Sequence, residues 1–337
     1  MILIVMVAAV AAGLMLVEAD RRWRTPLAIP AGGVRFTIED GDTLRRVVSR
    51  LESASIAPYP TLIIAYGRWS GLDSKIKRGE YWLPQYLTVS ALLSQLSQGK
   101  VIQRQLTFPE GITLAEALKV LAREEGLEQV LDGVTDPRIT AFIAPFTNGE
   151  GLFFPDTYQY EFGDSDWAVL QRAYARMAKV LDQEWALRDS NLPYESTYDA
   201  LIMASIIERE TGQAGERAEI AGVFVRRLQQ RMRLQTDPTV IYGMGDSYHG
   251  NLRRSDLANS SNPYNTYRHQ GLPPSPIALP GQKAIHAALH PAEGDTLFFV
   301  ARGDGSHQFS VTLQEHQQAV RKFQLKRRAD YRSSPKR

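Results

Sequence analysis

The chain has 337 residues, with 39 Lys+Arg against 37 Asp+Glu and no cysteine. The near-balance of charge excludes the strong basic stripe of a nucleic-acid binder. The missing cysteine excludes a disulfide framework, a thiolate zinc site and a cysteine nucleophile. A hydrophobic share of 44% with 23% charged residues suits a globular body with a real core, and the length allows two or three domains at ~100–200 residues each.

Met1 to Val17 carries no charged or strongly polar side chain. As a helix it would extend ~26 Å, slightly short of the ~30 Å hydrocarbon core. A signal peptide would need a basic n-region and a small-residue cleavage site, and neither is well placed. A buried helix fits poorly with Glu18, Asp20, Arg21, Arg22 and Arg24 following at once. Residues 1–18 therefore read as a single-pass membrane anchor and 19–33, with Pro26, Pro30, Gly32 and Gly33, as a linker. The arginines after the span run against the positive-inside rule for an outward-facing body.

Val34–Ile38 alternates as a strand. Asp42 or Thr43 can cap a helix with Leu44, Val47, Val48 and Leu51 on one face. A second helix is expected over Tyr59–Trp69, a strand over Arg78–Leu83, and a third helix over Thr88–Ser97 ending at Gly99. These elements make a small α/β unit at residues 34–98. A larger mixed region follows at 99–330. It has a strand over Gln103–Phe108, a helix over Thr113–Arg123, the aromatic turn Gly151–Asp156, a long helix over 166–189 and a hairpin of Leu297–Val300 with His307–Ser310 about Gly303-Asp304-Gly305. Residues 331–337 read as a basic tail. The expected class is α+β.

The chemistry concentrates in Tyr198–Gly212. Ala200 to Ile207 is apolar or small all round, so this helix is expected to be buried on most sides. Leu201, Ala204, Ser205 and Glu208 share one face, with Gly212 placed to end the helix. Glu208 then stands in the last turn, where burial and the negative helix end both disfavour its charged form and suit it to act as a general acid. Glu210 points elsewhere. The competing reading pairs Glu208 with Arg209 or Arg217 in a structural ion pair.

An amphipathic helix with Ile220, Val223, Phe224 and Leu228 follows, then Met232–Gly245, Ser261–Tyr267 and Gly271–Gly281. Their tyrosines, amides and prolines suit a sugar groove, although turns favour the same residues. His286 and His290 have the spacing of a zinc pair, but no glutamate lies between them and Pro291 follows, so no metal site is expected. Gly243-Met244-Gly245 lacks a third glycine, so no dinucleotide is expected either.

Met203–Thr211, Met232–Gly245, Tyr264–Tyr267, Gly271–Pro274, Gly151–Thr157 and Leu297–Val300 together resemble the endolytic murein transglycosylases, the YceG-like family. The resemblance covers nearly the whole chain; its one clear departure is the absence of a basic residue before the apolar run. It implies that residues 34–98 form a LysM-like glycan-binding domain and 99–330 the catalytic domain. It implies Glu208 as the catalytic acid, from the Ser-Ile-Ile-Glu-x-Glu-Thr motif, with Gln235, Asp237, Tyr242, Asn265 and Tyr267 positioning substrate. The implied reaction cleaves the MurNAc–GlcNAc β-1,4 bond of nascent peptidoglycan strands to 1,6-anhydro ends, without metal or cofactor, and so terminates strand elongation. The implied setting is the inner membrane, with the catalytic body in the periplasm beside the peptidoglycan synthases. Two rivals are a non-catalytic glycan-binding protein and a hydrolase using Asp237 as a second carboxylate.

Overall fold

The computed structural model describes residues 2–325, so the expected basic tail lies outside the described part. It divides into two compact units: residues 1–105 with 124–129 and 159–165, and residues 106–123, 130–158 and 166 onward.

The first unit opens with α1 (Ile2–Arg24). Its apolar side chains from Ile4 to Val17 stand exposed. The helix does not stop where the linker was expected. Glu18 bonds Arg22 at 2.7 Å and Asp20 bonds Arg24 at 3.1 Å, i,i+4 pairs that carry it through the charged segment. Trp23 then packs against Tyr66 with the rings tilted by 38°, and Leu27 and Ile29 join the core. In the remainder of residues 19–33, Leu27 and Ile29 are buried while most of their neighbours are exposed. Among the described residues no helix is long and apolar enough to cross a membrane. The anchor expected over 1–18 is seen as an exposed apolar helix that turns charged at Glu18.

β1 (Val34–Ile38), α2 (Leu44–Ser53), α3 (Pro60–Trp69), β2 (Gly79–Leu83) and α4 (Val89–Gln98) follow. β1 and β2 pair antiparallel, Val34 opposite Leu83 and Ile38 opposite Gly79. Thr43 and Thr88 cap α2 and α4 by accepting from Arg46 N and Ala91 N, and α4 ends at Gly99 with φ +67°. The α2 face Leu44, Val47, Val48 and Leu51 packs with Ile63, Tyr81, Leu83, Leu92, Leu93 and Leu96.

β3 (Arg104–Thr107) and β4 (Thr157–Tyr160) form a second two-stranded sheet. The second unit is mostly helical: α5 (Leu114–Leu121), α6 (Pro137–Phe142), α7 (Asp166–Ala186), α8 (Thr197–Glu210), α9 (Arg217–Gln229), α10 (Asp237–Met244), α11 (Arg254–Ala258) and α12 (Gln282–Leu289). The expected hairpin is present as β5 (Phe298–Ala301) and β6 (His307–Ser310), paired antiparallel, followed by α13 (Leu313–Val320). α10 was not foreseen: Pro238 stands in its first turn, where a missing N–H costs nothing. The mixed helices and small sheets bear out the α+β class.

Candidate active site

α8 is the helix on which the second unit is assembled, with α7, α9, α10 and α12 all packed against it. A capping box starts it: Ser196 accepts from Asp199 N, and the Asp199 carboxylate accepts from Ser196 N. Every residue from Ala200 to Ile207 is buried. The one hydroxyl among them is satisfied, since Ser205 donates to Ile202 O at 2.7 Å and accepts from Ile277 N at 3.0 Å. The helix ends with Thr211 in extended conformation, φ −138°, rather than with a left-handed Gly212. Glu208 and Glu210 therefore share the last turn on opposite sides.

The Glu208 side chain is 6% exposed and clamped. Its Oε2 accepts from Gly281 N at 3.0 Å and its Oε1 from Arg217 at 3.5 Å. The Arg217 pairing weighed against catalysis is thus present. A Cβ at Gly281 would fall 1.9 Å from Glu110 Oε1, so a larger residue there would displace the exposed Glu110 side chain. Burial pushes the Glu208 carboxyl up; the Gly281 bond opposes this, the Glu110 charge adds to it, and Arg217 opposes. Glu208 lines neither of the two cavities described next.

Glu210 opens on a cavity of 780 Å³. The Thr236 hydroxyl donates to its Oε2 at 2.8 Å. Burial raises its carboxyl well above the ordinary range; the Thr236 bond and His307 oppose this, and Asp237 adds to it. The same cavity holds three of the expected substrate residues, Gln235, Asp237 and Tyr267. Tyr267 Oη donates to Asp237 Oδ1 at 2.7 Å, and Gln235 is exposed with φ +51°. A buried cluster holds this rim: Thr266 Oγ1 accepts from Thr236 N at 3.1 Å and lies 2.9 Å from Thr239 Oγ1. Arg227 closes the floor, donating to Leu297 O at 2.7 Å and Leu234 O at 2.6 Å. Phe298, Phe299, His307 and His316 complete the wall from the hairpin and α13.

The other two expected residues lie elsewhere. Asn265 is fully buried, and its amide donates to Asp256 O, Leu257 O and Asn259 O at 3.1, 3.2 and 2.7 Å while its oxygen accepts from Tyr267 N at 3.0 Å. Its hydrogen bonds are spent on shaping the loop, and it presents nothing to a ligand. Tyr242 lines a second cavity of 520 Å³, where it donates to Glu150 Oε2 at 3.2 Å and meets Tyr264 edge-on. Glu150 is buried, accepts from Leu114 N at 2.9 Å, and is pushed by burial up to about 7. Arg209, Pro238 and Ile241 line both cavities. Glu150, Arg227 and His307 escaped sequence reading, because no local pattern distinguishes them from ordinary surface charges.

A buried acid whose carboxyl is raised, on a cavity walled by aromatic, hydroxyl and amide groups, is an arrangement that general acid–base chemistry on a polar ligand can use. Comparison with known proteins gives that class a family. The profile of the YceG-like family matches residues 36–322. The chain is 30% identical, over 86% of its length and 84% of the relative's, to the endolytic murein transglycosylase of Bacillus subtilis strain 168. It is 26% identical to the Streptococcus pneumoniae D39 protein of the same name, over 85% of this chain and 58% of that one. It also matches the crystal structure of a YceG-like protein from Listeria monocytogenes with TM-score 0.55 and 27% identity, covering 85% and 98% of the two chains. The chain belongs to the YceG-like family.

Proposed function

We propose that this protein is a lytic transglycosylase that cuts peptidoglycan glycan strands internally, at the MurNAc–GlcNAc β-1,4 bond, and that Glu210 is its acid. The observation that carries the reading is a buried carboxylate on a 780 Å³ cavity, in a chain related over most of its length to endolytic murein transglycosylases. That volume lies within the ~300–1,000 Å³ of ordinary ligand sites.

Glu210 donates its proton to the glycosidic oxygen as the bond breaks. The resulting carboxylate then takes the proton from the 6-hydroxyl of the same muramic residue, which attacks C1 and closes the 1,6-anhydro ring. One group serves as acid and then base, and no water is consumed. Gln235, Asp237 and Tyr267 supply an amide and two oxygen groups for sugar hydroxyls, and Phe298 and Phe299 apolar wall. Glu208 is the acid that the family motif suggested. Its fixed partners, a backbone N–H and an arginine, oppose the rise that burial causes, and its place outside both cavities supports a structural role instead.

The test is mass spectrometry of sacculi digested by Glu208→Gln and Glu210→Gln. Loss of anhydro-muropeptides with Glu210→Gln and their persistence with Glu208→Gln supports the assignment; the reverse returns the role to Glu208. Asp237 shares the cavity with Glu210, which supports the hydrolase as a second reading. Reducing ends in place of anhydro ends would establish it.

The β1–α2–α3–β2–α4 unit is the LysM-like glycan-holding module in this reading. The exposed apolar side chains of α1 support attachment to the inner membrane, with the body on the periplasmic side where the substrate and its synthases lie. There the cut would terminate growing strands. A reporter fused after Arg337 that is active only in the cytoplasm refutes this placement.

A further inference from the structure

Sequence spacing alone left His286 and His290 without a metal role, because no glutamate lies between them and Pro291 follows. The fold brings one to them from another helix. Glu184, near the end of α7, lies against α12 so that one ligand atom from each of Glu184, His286 and His290 falls within 4.8 Å of the others. The two imidazoles stand one turn apart with ring centroids 4.3 Å apart.

We propose that Glu184, His286 and His290 form a binding site for a first-row divalent cation, zinc above all, that fastens α7 to α12. Two imidazoles and one carboxylate match the donor preference of zinc and its neighbours, and disfavour magnesium or calcium, which take oxygen ligands.

The surroundings are those of a built site. Gln282 Nε2 donates to Glu184 Oε1 at 2.9 Å, fixing the carboxylate while Oε2 faces His286 Nδ1 at 2.9 Å. His290 Nδ1 lies 2.9 Å from Asp189 Oδ1. A carboxylate on one ring nitrogen holds the imidazole in orientation and leaves the other nitrogen for a metal. The Glu184 side chain is 11% exposed, that of His290 24% and that of His286 59%. The site thus has a fixed floor and an open side for entry and for a fourth ligand. An entering ion would exchange the His286–Glu184 hydrogen bond for two metal bonds. The site lies outside both cavities of the proposed reaction, and none of its residues lines them. Its consequence is mechanical, because α7 and α12 both pack against α8, which carries Glu208 and Glu210.

Isothermal titration of zinc chloride into the tag-free full chain at pH 7.5, with thermal melting alongside, tests the proposal. One bound equivalent is expected, with a raised melting temperature by mass action. His286→Ala, at an exposed position, and His290→Ala should each weaken binding at least tenfold and abolish the thermal shift. Glu184→Gln should do the same. Magnesium chloride should give no shift. Absence of zinc binding, or a stoichiometry and shift unchanged in His286→Ala and His290→Ala, overturns the proposal. Melting of the metal-free variants separates lost ligation from lost folding.

Discussion

Two carboxylates leave the last turn of one helix in this protein and enter opposite environments. Glu208 meets a backbone N–H and an arginine and lines neither cavity. Glu210 meets one hydroxyl and a deep cavity with Gln235, Asp237 and Tyr267 on its rim. Burial raises both acids, so burial alone does not separate a catalytic group from a structural one. The partners separate them. Glu208 is held by two donors away from both cavities, whereas Glu210 takes one hydroxyl bond on a cavity that Arg227 and His307 also line, and the proposed assignment rests on that difference.

The sharpest break of this comparison is Glu210→Gln. The amide keeps the shape and the bond to Thr236 but carries no transferable proton. Release of anhydro-muropeptides from sacculi should fall by ~10²–10⁴-fold or more, with the melting temperature unchanged or raised. Normal release would remove Glu210 from the mechanism.

Arg217→Leu attacks the other side. It leaves Glu208 buried with its cationic partner gone, and breaking such a pair costs ~3–5 kcal/mol, the lower end being expected for a 3.5 Å contact. Denaturant titration should show that loss, and Glu208→Gln in the same background should recover part of it. Glu208→Gln alone should leave turnover within about threefold of the parent, far less than the general acid–base range. A large activity loss without unfolding would reverse the two roles.

Glu150 offers a pH-dependent test in the second cavity. Its carboxyl is raised from 4.5 to about 7, so the native state holds a proton that the unfolded chain has released. The resulting stability is fully present below pH 4.5 and is lost as pH rises through 7. The loss is on the order of 3 kcal/mol across that window. Glu150→Gln should flatten this part of the stability curve while leaving the acid limb unchanged. An unaltered slope would show that another group carries it. The smallest effect is expected for Tyr267→Phe, which removes the 2.7 Å bond to Asp237 at the cavity rim. It should cost ~1 kcal/mol in stability and raise KM more than it lowers kcat.

The local elements were largely legible. Thr43, one of the two residues expected to cap α2, and Gly99 at the end of α4 stand where they were expected, because capping depends on a few adjacent residues. The Phe298–Ala301 and His307–Ser310 hairpin follows from alternation about two glycines. The buried character of Ala200–Ile207 was equally plain. Where reading failed, it failed through partners distant in the chain. Asn265 looked like a sugar contact, yet its amide is consumed by the carbonyls of Asp256, Leu257 and Asn259. Residues 19–24 looked like a linker, yet ion pairs extend α1 through them. Tyr242 was grouped with Tyr267, yet it lines a different cavity.

By itself the sequence determined the α+β class, the family resemblance, and the placing of two glutamates at the end of an apolar helix. Periodicity, caps and motif spacing are properties of neighbouring residues. Which glutamate faces a cavity was decided only in three dimensions. A helix that is apolar all round has no polar stripe to mark a functional face. The environment of its last turn is set by what other segments bring there: Gly281 and Arg217 on one side, Thr236, Asp237 and the β5–β6 hairpin on the other. The same holds for Glu184, which lies about a hundred residues from the histidines it joins and becomes their neighbour only when α7 and α12 pack.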